Sequence, residues 1–141
     1  MPSEGFNIQS MIWAGLAAGV WIFIGGLLMA GTFGFRDMKA AFDSTGLRIP
    51  VGARPFIVHT AVRLCIGMAL VALFVIMSTV LSPIQAVFAA AGFTWFLGVV
   101  LPFAVIVEWG VFPWSLAIKL WAWDAGELLI AAMIGRLIYH P

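Results

Sequence analysis

Residues 56–109 read FIVHTAVRLCIGMALVALFVIMSTVLSPIQAVFAAAGFTWFLGVVLPFAVIVEW, and the two stretches either side of Ser82-Pro83 decide the fold. Each is a nearly unbroken apolar run of about 25 residues, slightly more than the ~20 that carry a helix across ~30 Å of hydrocarbon. In the whole quotation only Arg63 and Glu108 carry a formal charge. A backbone in lipid has no water to bond to, so a run of this kind must satisfy itself as a spanning helix. Residues 56–81 and 84–109 are therefore predicted as the second and third spans, with a proline-marked turn between them.

The same reading extends outward. Gly110 and Pro113 interrupt the chain, and residues 114–139 form a fourth span; upstream, residues 8–33 form the first. The second and third turns are only a few residues long, which makes the helices they join antiparallel neighbours. Pro102 is expected to kink the third helix, because it has no amide proton to give the preceding turn. The prediction is one all-α domain over residues 1–141, an integral membrane four-helix bundle.

Composition agrees. The chain has 141 residues, 64% hydrophobic and 9% charged, with a mean hydropathy of +1.13. Soluble domains run at about 45–50% apolar and about 25% charged, so this chain could not cover a water-facing surface. A net charge of +1 with no basic stripe excludes nucleic acid as a partner. The single cysteine, Cys65, cannot form an internal disulfide and reads as a small apolar helix residue. His59 and His140 stand at opposite ends of the chain, no His/Cys set has metal-ligand spacing, and no phosphate loop or Ser-His-Asp series is present. No cofactor or metal is expected and no catalytic residue is assigned. The acidic start Met1-Pro2-Ser3-Glu4-Gly5, followed by an apolar run longer than the ~7–15 residues of a signal peptide, predicts that the first helix is retained.

The one long connection covers residues 34–55. Its opening, Phe35-Arg36-Asp37-Met38-Lys39-Ala40-Ala41-Phe42, alternates charged and apolar residues at helical spacing and predicts a short amphipathic helix at the membrane interface. A plain extension of the first helix into water is the other reading of these residues. An irregular return through Gly46, Pro50 and Gly52 follows. Arg36, Lys39, Arg48 and Arg54 all fall in this connection, Arg63 and Lys119 lie in the halves of their helices nearest to it, and only Arg136 lies toward the opposite face. Positive residues stay inside, so the long connection is expected in the cytoplasm and both termini outside.

Ionisable groups at membrane depth are costly and point to function. At ~1.5 Å per residue, His59 and Arg63 lie roughly 5 and 11 Å in from the cytoplasmic end of the second span; Lys119, Asp124 and Glu127 lie roughly 8, 15 and 20 Å into the fourth. Asp124 and Glu127 share a helix face, as do His59 and Arg63. Arg63 is therefore expected to pair with Asp124, and with Glu127 beside it, across a contact between the second and fourth helices. Two carboxylates against one guanidinium leave one in surplus, and a surplus carboxylate at that depth calls for a proton or a cation. Proton-linked transporters use that property. The plainer reading is a structural clamp, with Lys119 and His59 snorkelling to the headgroups. Glu108 is placed at headgroup level.

Of seven tryptophans, Trp109 and Trp114 at the third turn and Trp13 on the opposite side read as interfacial belts. Trp21, Trp95, Trp121 and Trp123 lie deeper. Trp121 and Trp123 bracket the depth of Asp124, which suggests an aromatic-plus-carboxylate pocket for a lipophilic cation, against ordinary packing. Small residues recur at contact spacing: Gly15 with Gly19, Gly26 with Ala30 and Gly34, Ala131 with Gly135. Such spacing lets helices approach closely in lipid and points to a homo-oligomer or a partner in a membrane complex.

Two stretches, Gly34-Phe35-Arg36-Asp37-Met38-Lys39 and the run from Gly92-Phe93-Thr94-Trp95 through Asp124-Ala125-Gly126-Glu127-Leu128-Leu129, resemble an uncharacterised family of small bacterial four-helix membrane proteins. The resemblance implies four spans in a bacterial inner membrane and no particular activity. Small multidrug exporters also have four short spans, but their acidic residue lies in the first helix, where this chain has no charge between Ile8 and Gly34. Three functional readings follow. The first is an oligomeric transporter or channel built around His59, Arg63, Asp124 and Glu127. The second is a non-catalytic accessory subunit, and the third a lipid-modifying enzyme using His59 or Glu127.

Overall fold

The computed structural model describes residues 6–141, so the acidic stretch 1–5 lies outside the described residues. The described chain is all-helical. Helix α1 (Ile8–Met29) runs through a π-helical turn (Ala30–Gly34) directly into α2 (Phe35–Ser44). After an extended connection come α3 (Ala53–Met77), α4 (Pro83–Trp95), a second π turn (Phe96–Val100), α5 (Leu101–Glu108) and α6 (Trp114–Ile138). The bundle thus has four rods, α1–α2, α3, α4–α5 and α6.

Three rods are long and apolar enough to cross a membrane: Ile8–Ser44, Ala53–Met77 and Pro83–Glu108. This is an integral membrane protein. Rod α6 has the length of α3, but any 18 consecutive residues of it hold at least three of Lys119, Asp124, Glu127 and Arg136. It can lie among the others because Asp124 and Glu127 are buried inside the bundle.

The local chemistry explains the ends. Asn7 caps α1 by accepting from the Ser10 amide, 3.0 Å. Ser82 and Gln85 form a reciprocal capping box at the start of α4, with Pro83 in the first turn, where a missing amide proton costs nothing. At Pro102 the expected irregularity is a π turn. Phe96–Val100 ends two residues before the proline, which has no proton for the Gly98 carbonyl. The short helix expected at Phe35–Phe42 is present as α2, joined to α1 without a loop. Its Ala41 is buried with Phe112 of the α5–α6 turn and with Val107 and Leu116.

Helix α1 packs on α3 and α6, and α4 packs on α3 and α6, with α3 and α6 touching across the middle. The apolar core has two parts. Toward the termini, Ala14, Ala18 and Ile22 meet Leu70, Val71 and Phe74, with Ala86, Ala90, Leu128 and Ala131 completing the cluster. At the opposite end Ala41, Val107, Phe112, Leu116, Ala117 and Leu120 form a smaller one. Asp124 and Glu127 fall between the two along α6.

The first core depends on backbone contact. A β-carbon at Gly19 would lie 2.7 Å from Leu64 Cα, and one at Gly67 would overlap the Gly19 backbone. The Gly15/Gly19 spacing is thus used inside one chain, between α1 and α3, and Gly135 is likewise pressed against Val71. These positions are not free to face a second copy. The His140 amide donates to Ser10 Oγ at 2.7 Å, which ties the start of α1 to the residues just after α6 at the same end of the bundle.

Candidate functional site

Arg63 on α3 reaches inward toward α6. Its Nη1 stands 3.6 Å from Glu127 Oε2 and 3.9 Å from Asp124 Oδ1. Both separations are within ion-pair range but too long for a hydrogen bond. Asp124 and Glu127 are 7% and 5% exposed, and Asp124 Oδ1 and both Glu127 oxygens have no hydrogen-bond partner among the described residues. One guanidinium therefore serves two buried carboxylates, and binds neither closely. The expected pairing is present, with Glu127 the nearer partner.

Helix α1 supplies the third side with glycines. A β-carbon at Gly25 would lie 2.5 Å from Glu127 Oε1, and one at Gly26 would lie 3.5 Å from both Arg63 Nη2 and His59 Nε2. The glycine pair makes room for a row of polar groups, His59, Arg63 and Glu127, against α1. His59 itself is exposed on α3, one turn before Arg63.

A cleft of about 340 Å³ opens between α1 and α6, lined by Trp21, Gly25, Leu28, Ala122, Trp123, Gly126, Glu127 and Ile130. Leu28 and Ile130 are half-exposed on the outer surface of the bundle, so the cleft opens sideways. The indole nitrogens of Trp21 and Trp123 are buried without an acceptor. Of the two pocket aromatics expected, Trp123 lines this cleft with Glu127. Trp121 does not; it stacks edge-on against Trp114, 5.9 Å between centroids, and packs with the smaller core. Its place is taken by Trp21 of α1, whose facing partner depends on how α1 is rotated against α6. Trp95 donates its indole N–H to the Trp121 carbonyl at 2.8 Å, tying α4 to α6 near the same depth.

The expected belt tryptophans face outward, Trp13 at 62%, Trp109 at 76% and Trp114 at 51% exposure. Glu108 and Cys65 are exposed. Lys119, expected to snorkel, donates from its Nζ to Asp37 Oδ2 at 2.9 Å, joining α6 to α2. The sequence placed both groups toward the same end of the bundle but did not pair them, because it left open where α2 lies against α6. Among the described residues no group of three His, Cys, Asp or Glu could hold a metal ion. No protein-family model, no curated protein and no solved structure matches this chain.

Proposed function

We propose that this protein is a small carrier of the bacterial inner membrane, in which Glu127 exchanges a proton for a cation. α6 is its fourth span, the 34–55 connection is cytoplasmic and both termini are periplasmic. The observation that carries this reading is Glu127 itself. It is a buried carboxylate, one of two sharing Arg63, with neither oxygen hydrogen-bonded and with a cleft at its side. A charge left over in a low-dielectric site is neutralised by a proton or a cation, and alternation between the two is the elementary step of an exchanger. The charged and titratable groups around Glu127 are Asp124 on its own helix and Arg63 and His59 on α3; α1 offers only Gly25 and Gly26. His59, exposed beside Arg63, is the group best placed to pass protons from the cytoplasmic side. A homo-oligomer would have to assemble through outer faces other than the internal glycine contacts.

The test uses purified protein in vesicles with an imposed pH gradient and a trapped pH dye. Addition of a monovalent metal or organic ammonium cation discharges the gradient for wild type, and Glu127→Gln abolishes the discharge while remaining folded. If no cation moves protons in wild type, the carrier reading falls. The second reading is then a non-catalytic accessory subunit. One feature favours it independently: Arg63, Glu127 and Gly25 join α3, α6 and α1 at one point, as a clamp would. A lipid-modifying enzyme using His59 or Glu127 ranks last. The sideways opening of the cleft suits it, but Glu127 is the one titratable residue among those lining the cleft, and His59 does not join it there as a second acid–base group.

A further inference from the structure

We propose that the cleft between α1 and α6 binds a lipophilic organic cation drawn from the bilayer, with its positive charge beside Glu127 and its apolar groups between Trp21 and Trp123. This rests on the carrier reading above and names what Glu127 exchanges against its proton.

The route of entry sets the first requirement. The cleft opens through the outer surface beside Leu28 and Ile130, both half-exposed there, and with α6 as the fourth span that surface faces lipid. A hydrated metal ion cannot approach through hydrocarbon, whereas a molecule that partitions into the bilayer can. The walls are apolar apart from Glu127 and the two indoles, which suits an apolar body of modest size in about 340 Å³.

Charge sets the second requirement. At the cleft floor stands Glu127, 5% exposed, with Oε2 toward Arg63 and Oε1 against Gly25, neither oxygen hydrogen-bonded. Arg63 is shared with Asp124, so with both carboxylates ionised the cluster carries one net negative charge. That charge repels an anion and leaves a neutral guest without compensation; a cation completes the balance. Lys119 lies farther along the same face, but its charge is held by Asp37 at 2.9 Å. The third requirement is aromatic. Trp21 comes from one wall and Trp123 from the other, and indole rings in a water-poor site attract cations.

Equilibrium dialysis of the purified protein in neutral detergent tests the assignment with two probes of the same shape and opposite charge, tetraphenylphosphonium and tetraphenylborate. The phosphonium binds at one site per chain, and the borate binds more weakly by about tenfold or more. Glu127→Gln weakens phosphonium binding by a comparable factor. Gly126→Leu does so by another route. A β-carbon there meets no atom within 4 Å, so the new side chain fills the cleft while leaving both carboxylates in place. Equal binding of the two probes, or phosphonium binding unmoved by both substitutions in folded protein, overturns the proposal. Binding without cation-driven proton movement overturns the carrier reading and leaves the cleft assignment standing. Proton movement without phosphonium binding does the reverse.

Discussion

Gly25 of α1 faces Glu127 of α6 so closely that a β-carbon on the glycine would lie 2.5 Å from Oε1. The buried carboxylate thus depends on a missing side chain in another helix, and substitution can test this directly. Gly25→Ala forces Glu127 aside and lowers stability by about 1–3 kcal/mol, the usual cost of overpacking. Gly26→Ala is the control, since its β-carbon would meet Arg63 and His59 at an ordinary 3.5 Å. Thermal unfolding in detergent should separate the two; equal effects would mean that Glu127 does not occupy the space beside Gly25.

Arg63 compensates two carboxylates at once. Arg63→Ala leaves both buried without a counter-charge and is expected to cost about 3 kcal/mol, the lower end for a broken buried pair, because the separations of 3.6 and 3.9 Å exceed hydrogen-bond length. Glu127→Gln in the Arg63→Ala background should recover much of the loss, and Asp124→Asn less, since Glu127 is the nearer partner. A double-mutant cycle measures the coupling; strictly additive losses would show that the groups do not interact.

The α1–α3 seam is set by backbone contact. Gly67→Ala places a β-carbon inside the van der Waals envelope of the Gly19 backbone, where no flexible side chain can move away. Stability should fall by about 3 kcal/mol or more. Gly92→Ala, whose β-carbon meets nothing within 4 Å, should leave the unfolding midpoint close to wild type. A tolerated Gly67→Ala would mean that α1 and α3 are farther apart than described.

Orientation can be read with fusions. A reporter that is active only outside the cytoplasm, placed after Pro141, should be active, and the same reporter placed between Arg48 and Arg54 should be silent. The reverse pattern would place the four basic residues of the 34–55 connection outside and invert the direction from which protons reach His59.

Much of the bundle was legible because membranes enforce local rules. Apolar run length predicted the helices, Ser82-Pro83 and Gly110 with Pro113 marked the turns, and burial depth singled out Arg63, Asp124 and Glu127 as costly. Those inferences need only the chain and the solvent. The rotation of α1 was not legible. Apolar residues run all round it, so no polar face tells which side turns inward, whereas Arg63 on α3 and Asp124 with Glu127 on α6 marked the sides that meet. Gly15 and Gly19 therefore looked available to a second copy, although they are used against α3. Trp121 looked equivalent to Trp123, yet α6 turns one toward Trp114 and the other toward the cleft.

The amino-acid order by itself determined that the chain is a membrane helix bundle with its basic residues gathered toward one end, because hydrocarbon penalises every unsatisfied backbone group and every stray charge. The tertiary structure alone decided that Trp21 lines the Glu127 cleft, that Gly25 makes room for the carboxylate, and that Asp37 holds Lys119. Each contact joins residues far apart in the chain, and packing between helices, rather than hydropathy along them, selects which atoms meet.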